Sequence, residues 1–254
     1  MQHQLLWTLA LLLPGAGEGA AAPAPVVIAA EAIQPQLAID GAGAIHVVCI
    51  HRGDIAVLSS RDGGKTFGGP SIAIDTRGRT RGGLQRGPRI GVDRKGKISV
   101  TAPVVFDEEE YKKRYPTSEL YLVESSDGGK SWTRPLRINE VAKKAPEALH
   151  WMAVAPEGEV HVSWLDLREA AGGQDLYYAR IAGGKVGKNI RVARDVCNCC
   201  APGLAVDGRG DPFIAYREGG SKESREVLAI RSTDRGATFS KAARLNQRPT
   251  NEAG

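Results

Sequence analysis

The chain has 254 residues, of which 42% are hydrophobic and 25% are charged, and its formal net charge is +5. This composition is that of a globular protein and excludes a disordered one, which would be poorer in apolar residues. No nucleic-acid-binding motif or run of five basic residues accompanies the charge, so nucleic acid is not an expected partner. The 31 glycines and 14 prolines, spread along the chain, predict many short strands joined by tight turns.

The chain begins with an apolar run from Leu5 to Leu13, which Pro14 and several small residues follow. A transmembrane helix needs about 20 apolar residues, so this run is too short to span a membrane and fits a secretory signal peptide. No Lys or Arg precedes it, and a buried N-terminal strand is the alternative. We predict a signal peptide over residues 1–22, a mature domain over residues 23–254, a secreted or periplasmic location and no membrane span after signal removal.

Four segments align without gaps, and each reads as an apolar triplet, a turn that contains glycine, and a strand-forming run. They are residues 37–50, 90–103, 152–165 and 204–217. The same turn position holds Asp40, Asp93 and Asp207 in three of them. Glycine adopts a positive φ readily and an Asp side chain can bond the amides of a turn, so each segment is predicted to be a β-hairpin.

A second hairpin is predicted after each of these, at residues 55–67, 120–132, 176–187 and 227–239. Three of the four contain the pattern S-x-D-x-G-x-[ST]-[FW], known as the Asp-box. Its serine, aspartate, glycine and aromatic positions are Ser60, Asp62, Gly64 and Phe67; Ser125, Asp127, Gly129 and Trp132; and Ser232, Asp234, Gly236 and Phe239. The expected role is structural: Ser and Asp accept from turn amides, and the aromatic ring packs between strands.

Two hairpins in each repeat give four strands, which is the design of a β-propeller blade. We predict an all-β protein with about four blades of four antiparallel strands each. The repeats resemble those of the sialidase (neuraminidase) superfamily, in particular bacterial exported sialidase-like proteins with Asp-box repeats. That resemblance implies a six-bladed propeller, of which this chain would supply about two blades too few, with the C-terminus incomplete; a four-bladed ring is the alternative.

Strand alternation places the loop before the first strand of each blade, and the loop after its second strand, on one face of the propeller. The Asp-boxes fall on the opposite face. Three arginines on the first face come from different blades, and guanidinium groups bind carboxylates bidentately. We therefore expect a glycan or another small acidic ligand there, with substrate-binding candidates Arg52, Arg168, Arg217, His150 and Trp151.

The resemblance implies an exo-glycosidase that acts on acidic sugars such as sialic acid, with an Asp acid/base and a Tyr nucleophile assisted by Glu. The candidates on this face for these roles are Asp54, Asp166, Tyr216 and Glu218. The family has an Arg-Ile-Pro element on its first inner strand, where this chain reads Ile33-Gln34-Pro35. A partial match, Pro88-Arg89-Ile90-Gly91, lies in the second blade. The alternatives are ion pairs without a ligand, and a non-catalytic propeller that binds glycans or a protein.

The four cysteines are Cys49 in the first predicted blade and Cys197, Cys199 and Cys200 on the predicted binding face. In an exported protein a disulfide is the usual state. Thiolates with histidine can instead bind zinc or copper, and His51 and His150 are predicted on the same face. We predict no cofactor, with a disulfide favoured over a metal site at this cluster and with unpaired thiols as the remaining alternative. The Cys-x-Cys-Cys sequence resembles one found in bacterial sialidase-like proteins.

Overall fold

The structure is a computed structural model that describes residues 25–80, 82–83, 85–145, 149–169, 173–219 and 226–246. The predicted signal peptide lies outside the described residues. Within them, 17 strands and one short helix alternate with turns. None of the helical structure in these ranges is long and apolar enough to cross a membrane.

The strands form four antiparallel sheets that follow one another along the chain. The first sheet contains β1 (Ala32–Ile39), β2 (Ile45–His51), β3 (Asp54–Ser60) and β4 (Ser71–Ile74). The second contains β5 (Arg89–Val92), β6 (Ile98–Val104), β7 (Glu119–Ser125) and β8 (Leu136–Arg137), with helix α1 (Glu108–Lys112) between β6 and β7.

The third sheet contains β9 (His150–Val154), β10 (Val160–Asp166), β11 (Gln174–Ala182), β12 (Lys185–Val186) and β13 (Ile190–Val196). Both β12 and β13 pair with β11, which makes this sheet five-stranded. The fourth contains β14 (Gly203–Val206), β15 (Pro212–Arg217), β16 (Val227–Arg231) and β17 (Ala243–Arg244). The prediction of an all-β chain built from antiparallel sheets is confirmed, and three of the four sheets have the predicted four strands.

In three of the four sheets, an aspartate stabilises the turn of the first hairpin. Asp40 Oδ1 accepts from the amides of Ala42 (2.9 Å) and Ala44 (2.8 Å), and Gly43 takes a φ of 83° in the same turn. Asp93 and Asp207 repeat this arrangement in the second and fourth sheets. The local sequence therefore fixes the register between the first two strands of these sheets.

The three turns that carry the Ser-x-Asp-x-Gly pattern share one set of hydrogen bonds. In the second sheet, Ser125 Oγ accepts from the Gly129 amide (2.9 Å) and donates to Asp127 Oδ1 (2.7 Å). Asp127 also accepts from the amide and the hydroxyl of Ser131, and these bonds hold the pKa of the Asp127 carboxyl well below its usual range. The equivalent bonds occur at Ser60 with Asp62 and at Ser232 with Asp234.

Side chains from consecutive sheets share three cores. The strands β1, β5, β9 and β14 lie side by side in that order, so each sheet faces the next one along the chain. One core joins the first and second sheets, another contains Trp164 and Tyr177 of the third sheet against Leu120 of the second, and the last joins Tyr178 to Ile214 of the fourth. The aromatic residues of the turns add to this packing: Trp132 Nε1 donates to Ser71 Oγ of the first sheet (3.0 Å), and Phe239 contacts Tyr178 edge-on.

Replacement of Ser125 tests whether its hydrogen bonds stabilise the turn. We expect Ser125→Ala to lower the free energy of unfolding by about 1–2 kcal/mol, because the buried Gly129 amide loses its acceptor. Chemical denaturation measures this difference. The matched control is Ser126→Ala at the exposed neighbouring position, for which we expect a change within about 0.5 kcal/mol. Equal stability of the two variants would contradict the role of Ser125.

Candidate functional site

The loops that precede the inner strands of the sheets meet at one end of the molecule. The Gln34 side chain exchanges hydrogen bonds with the backbone of Gly83, which joins β1 to the loop before β5. Gln85 Oε1 in that loop accepts from the Ala201 amide, 2.9 Å away in the loop before β14. These contacts draw the first, second and fourth sheets together at a surface that we call the mouth, formed by Gln34, Gln85, Arg89, Trp151 and Ala201.

Arg89 is the buried cation of the mouth. It is the first residue of β5, it is only 6% exposed, and its guanidinium lies 4.5 Å from the centre of the Trp151 ring. Its Nε donates to the His150 carbonyl (3.3 Å) and its Nη2 to the Gln85 carbonyl (3.1 Å). Among the described residues, no carboxylate forms an ion pair with it. Burial lowers the pKa of Arg89 to about 10, so the group stays charged at neutral pH.

The close approach of β5 and β9 positions Arg89 over Trp151. Gly91 makes this approach feasible, because a Cβ at that residue would lie 2.6 Å from Val154 Cγ2. The His150 ring is fully buried beneath the mouth, where its Nε2 lies 3.0 Å from Thr101 Oγ1. Trp151 is half-buried and faces Arg89. The structure thus brings together Trp151 and the His150 backbone from the predicted set, around an arginine that the prediction did not select.

The two predicted acid/base candidates form hydrogen bonds that stabilise the local structure. Asp54 Oδ1 accepts from the Thr76 amide (2.8 Å) and the Gly78 amide (3.0 Å) and so anchors the loop after β4. Asp166 is fully buried and accepts from Trp164 Nε1 (3.0 Å) and from the guanidinium of Arg168 (2.7 Å at Nη2). Oδ1 of Asp54 and both carboxylate oxygens of Asp166 therefore accept hydrogen bonds that stabilise the local structure.

The three predicted arginines have three different partners. Arg52 is 70% exposed and pairs with Glu31 (2.6 Å), whereas Arg168 is 8% exposed, pairs with Asp166 and stacks on Tyr177 at 4.3 Å. Arg217 Nη1 lies 3.8 Å from Cys200 Sγ. For Arg52 and Arg168 these contacts correspond to the alternative that the residues form ion pairs.

The predicted nucleophile is a core residue. Tyr216 is 8% exposed and packs in the core between the third and fourth sheets, and burial raises the pKa of its hydroxyl. Glu218 lies just beyond it, where its backbone forms a bridge with Val196. This bridge ties the end of β15 to the end of β13, next to the three clustered cysteines.

Those three cysteines lie close together in the loop between β13 and β14. Cys197 Sγ lies 2.8 Å from Cys200 Sγ and 3.5 Å from Cys199 Sγ, and all four cysteines of the chain are free thiols in the structure. Burial opposes ionisation of Cys197, but its hydrogen bond with Cys200 lowers its pKa, while burial raises the pKa of Cys200 to about 11. Cys49 is buried in the first sheet, and no histidine belongs to the described cluster of sulfur atoms.

The comparisons with known proteins identify the fold. No protein-family model matches the sequence, and no curated protein matches it either. Among solved structures, the chain is similar to the Penicillium chrysogenum α-L-arabinanase complexed with arabinobiose, at 15% identity and a TM-score of 0.56 over 85% of this chain and 67% of that one. The Fusarium graminearum α-L-arabinofuranosidase of family GH93 gives 14% identity and a TM-score of 0.54, over 84% of this chain and 66% of that one.

A sialidase is also among the similar structures. The intramolecular trans-sialidase from Ruminococcus gnavus, in complex with oseltamivir carboxylate, gives 12% identity and a TM-score of 0.53 over 86% of this chain and 71% of that one. These neighbours are β-propeller glycoside hydrolases. The four sheets therefore have a sialidase-like β-propeller fold. The chain spans about two thirds of the length of the arabinanase and arabinofuranosidase structures.

Replacement of Asp166 tests whether the main role of this residue is to stabilise the buried ion pair. We expect Asp166→Asn to lower the free energy of unfolding by about 3 kcal/mol, because Arg168 would stay buried without its closest carboxylate. Urea denaturation measures this change. A variant of unchanged stability that loses a ligand-dependent activity would instead show that Asp166 acts on a ligand.

Proposed function

We propose that the protein is an exported, carbohydrate-active β-propeller that binds an acidic sugar at the mouth, with Arg89 as the residue that takes the carboxylate. The observation that carries this proposal is a buried guanidinium whose partners, among the residues that the structure describes, are two carbonyls and an aromatic ring. A buried charge without a counterion is costly, so a carboxylate ligand at this position would gain a charge-assisted hydrogen bond and relieve that cost.

The surroundings of Arg89 suit a small anionic ligand. Trp151 and two backbone carbonyls fix the plane of the guanidinium, so little conformational freedom is lost when a ligand binds. The loops that form the mouth are joined by the contacts of Gln34 and Gln85, which hold the site in place from three sheets. A sugar acid such as sialic acid has the required carboxylate next to a ring that can lie across such a surface.

Binding accounts for the site better than hydrolysis does. The resemblance to sialidases implies an exo-glycosidase, which requires an acid and a nucleophile beside the bound sugar. Asp54 Oδ1 and both oxygens of Asp166 form loop and ion-pair contacts, and Tyr216 is packed in a core. We therefore propose that the function of the mouth is recognition of an acidic glycan. An assay for hydrolysis of a sialoside, described below, shows whether the bound sugar is also turned over.

We also propose that the sheets belong to a propeller of the six-bladed type. Leu37 and Ile39 on β1 are 63% and 60% exposed, and Phe213 of the fourth sheet is exposed as well. Between consecutive sheets of the chain, equivalent apolar faces are buried against each other. Further blades packed on the first and fourth sheets would cover these residues in the same way.

Comparison of a charged sugar with its neutral ester tests the ligand assignment in the unaltered protein. We expect N-acetylneuraminic acid to bind at least about tenfold more tightly than its methyl ester, because only the acid forms a charge-assisted hydrogen bond with Arg89. Ligand-observed NMR or calorimetry measures the two affinities. A fluorogenic sialoside in the same series detects turnover.

Variants at two arginines complete this test. Arg89→Ala should remove the preference for the acid, and Arg89→Lys should keep part of it because the charge remains. Arg52→Ala is the control, since Arg52 is exposed and paired with Glu31 away from the core. Equal binding of acid and ester by the natural sequence, or an unchanged preference in Arg89→Ala, would refute the proposal.

A further inference from the structure

The cysteine cluster beside the mouth has more sulfur atoms than a disulfide uses. The ligand atoms of Cys197, Cys199 and Cys200 all lie within 4.8 Å of one another. A bond between Cys197 and Cys200 would leave Cys199 as an exposed free thiol, and its sulfur lies 3.5 Å from that of Cys197. Exposed free thiols are reactive, whereas one ion bound by three thiolates would engage all three.

The loop that holds the cysteines is fixed at several points. The Cys197 amide donates to the Arg217 carbonyl (2.9 Å), and the Ala201 amide donates to the Gln85 side chain. The backbone bridge between Val196 and Glu218 anchors the start of the loop. A three-coordinate ion with metal–sulfur bonds of about 2.3 Å holds its sulfur atoms about 4 Å apart. The sulfur atoms of Cys199 and Cys200 lie 3.5 Å and 2.8 Å from that of Cys197, and all three lie within 4.8 Å of one another, which is near that spacing.

The donor set favours one class of metal. Thiolates alone are soft ligands that select monovalent copper, zinc or iron–sulfur clusters. Structural zinc sites are four-coordinate, and among the described residues no imidazole or carboxylate joins the three sulfur atoms. Monovalent copper accepts three thiolates without a fourth ligand. Arg217 adds a positive charge 3.8 Å from Cys200 Sγ, which would offset the net negative charge of such a site.

We propose that Cys197, Cys199 and Cys200 bind one monovalent copper ion in a three-coordinate thiolate site. The site does not depend on the proposed sugar binding, because neither Arg89 nor Trp151 takes part in it. Cys197 is buried and Cys199 is exposed, so one side of the ion is open to solvent. That open side would allow copper to enter or leave by exchange with the thiols of a donor or acceptor.

Competition with a copper chelator tests the site. Reduced protein, freed of reductant without oxygen, is titrated into the coloured complex of monovalent copper with bicinchoninate. We expect one copper ion per chain to transfer to the protein, and X-ray absorption to show three sulfur neighbours. An excess of zinc should not displace the copper. Failure of copper to transfer, or its displacement by zinc, would overturn the proposal.

Single cysteine variants locate the ion. Cys199→Ser changes an exposed residue, so the fold should persist, and we expect it to weaken copper binding at least about tenfold because one of three thiolates is lost. Cys49→Ser is the matched control, since burial raises the pKa of that thiol and it lies in the first sheet, so binding should be unchanged. If Cys199→Ser bound copper as tightly as the unaltered protein does, only two thiolates would bind the ion, and the three-coordinate site would be rejected.

Discussion

The packing of each sheet against the next along their inner strands determines where the loops and the buried side chains lie. A single four-stranded sheet has two faces and cannot bury both alone, so each sheet needs a neighbour on either side. Three shared cores satisfy this need between consecutive sheets. Close packing of the inner strands also brings the loops that precede them to one place, although those loops are far apart in the sequence.

The mouth is a consequence of that packing. Gly91 allows β5 to lie against β9, and this contact places the Arg89 guanidinium on Trp151 rather than in solvent. The same convergence brings the loop of the three cysteines next to the loop of Gln85. Two chemically different groups, a buried guanidinium and a set of soft thiols, are thus held at one end of the fold. The turns with Ser125 and Asp127, which connect outer strands, contribute to stability.

The sheets could be predicted from sequence because their signals are local. The turns at Asp40 and Ser125 depend on residues two to four positions away, so a short pattern fixes both the turn and the strands beside it. The partners of charged residues on the binding face depend on contacts between distant segments. Arg52 meets Glu31 and Arg217 meets Cys200, pairings that no short pattern predicts. The sequence around Arg89 partly matches the Arg-Ile-Pro element, which pointed to this residue. Its burial could not be predicted, because Trp151 lies on the neighbouring sheet.

The proposed role of the mouth is to recognise a carboxylate through a guanidinium buried between two sheets. A crystal structure of the protein soaked with N-acetylneuraminic acid tests this most directly. We expect electron density for the sugar at the mouth, with its carboxylate within hydrogen-bond distance of Arg89. Density for the sugar elsewhere, such as at the turns around Asp62 or Asp127, with the mouth occupied by solvent alone, would contradict it.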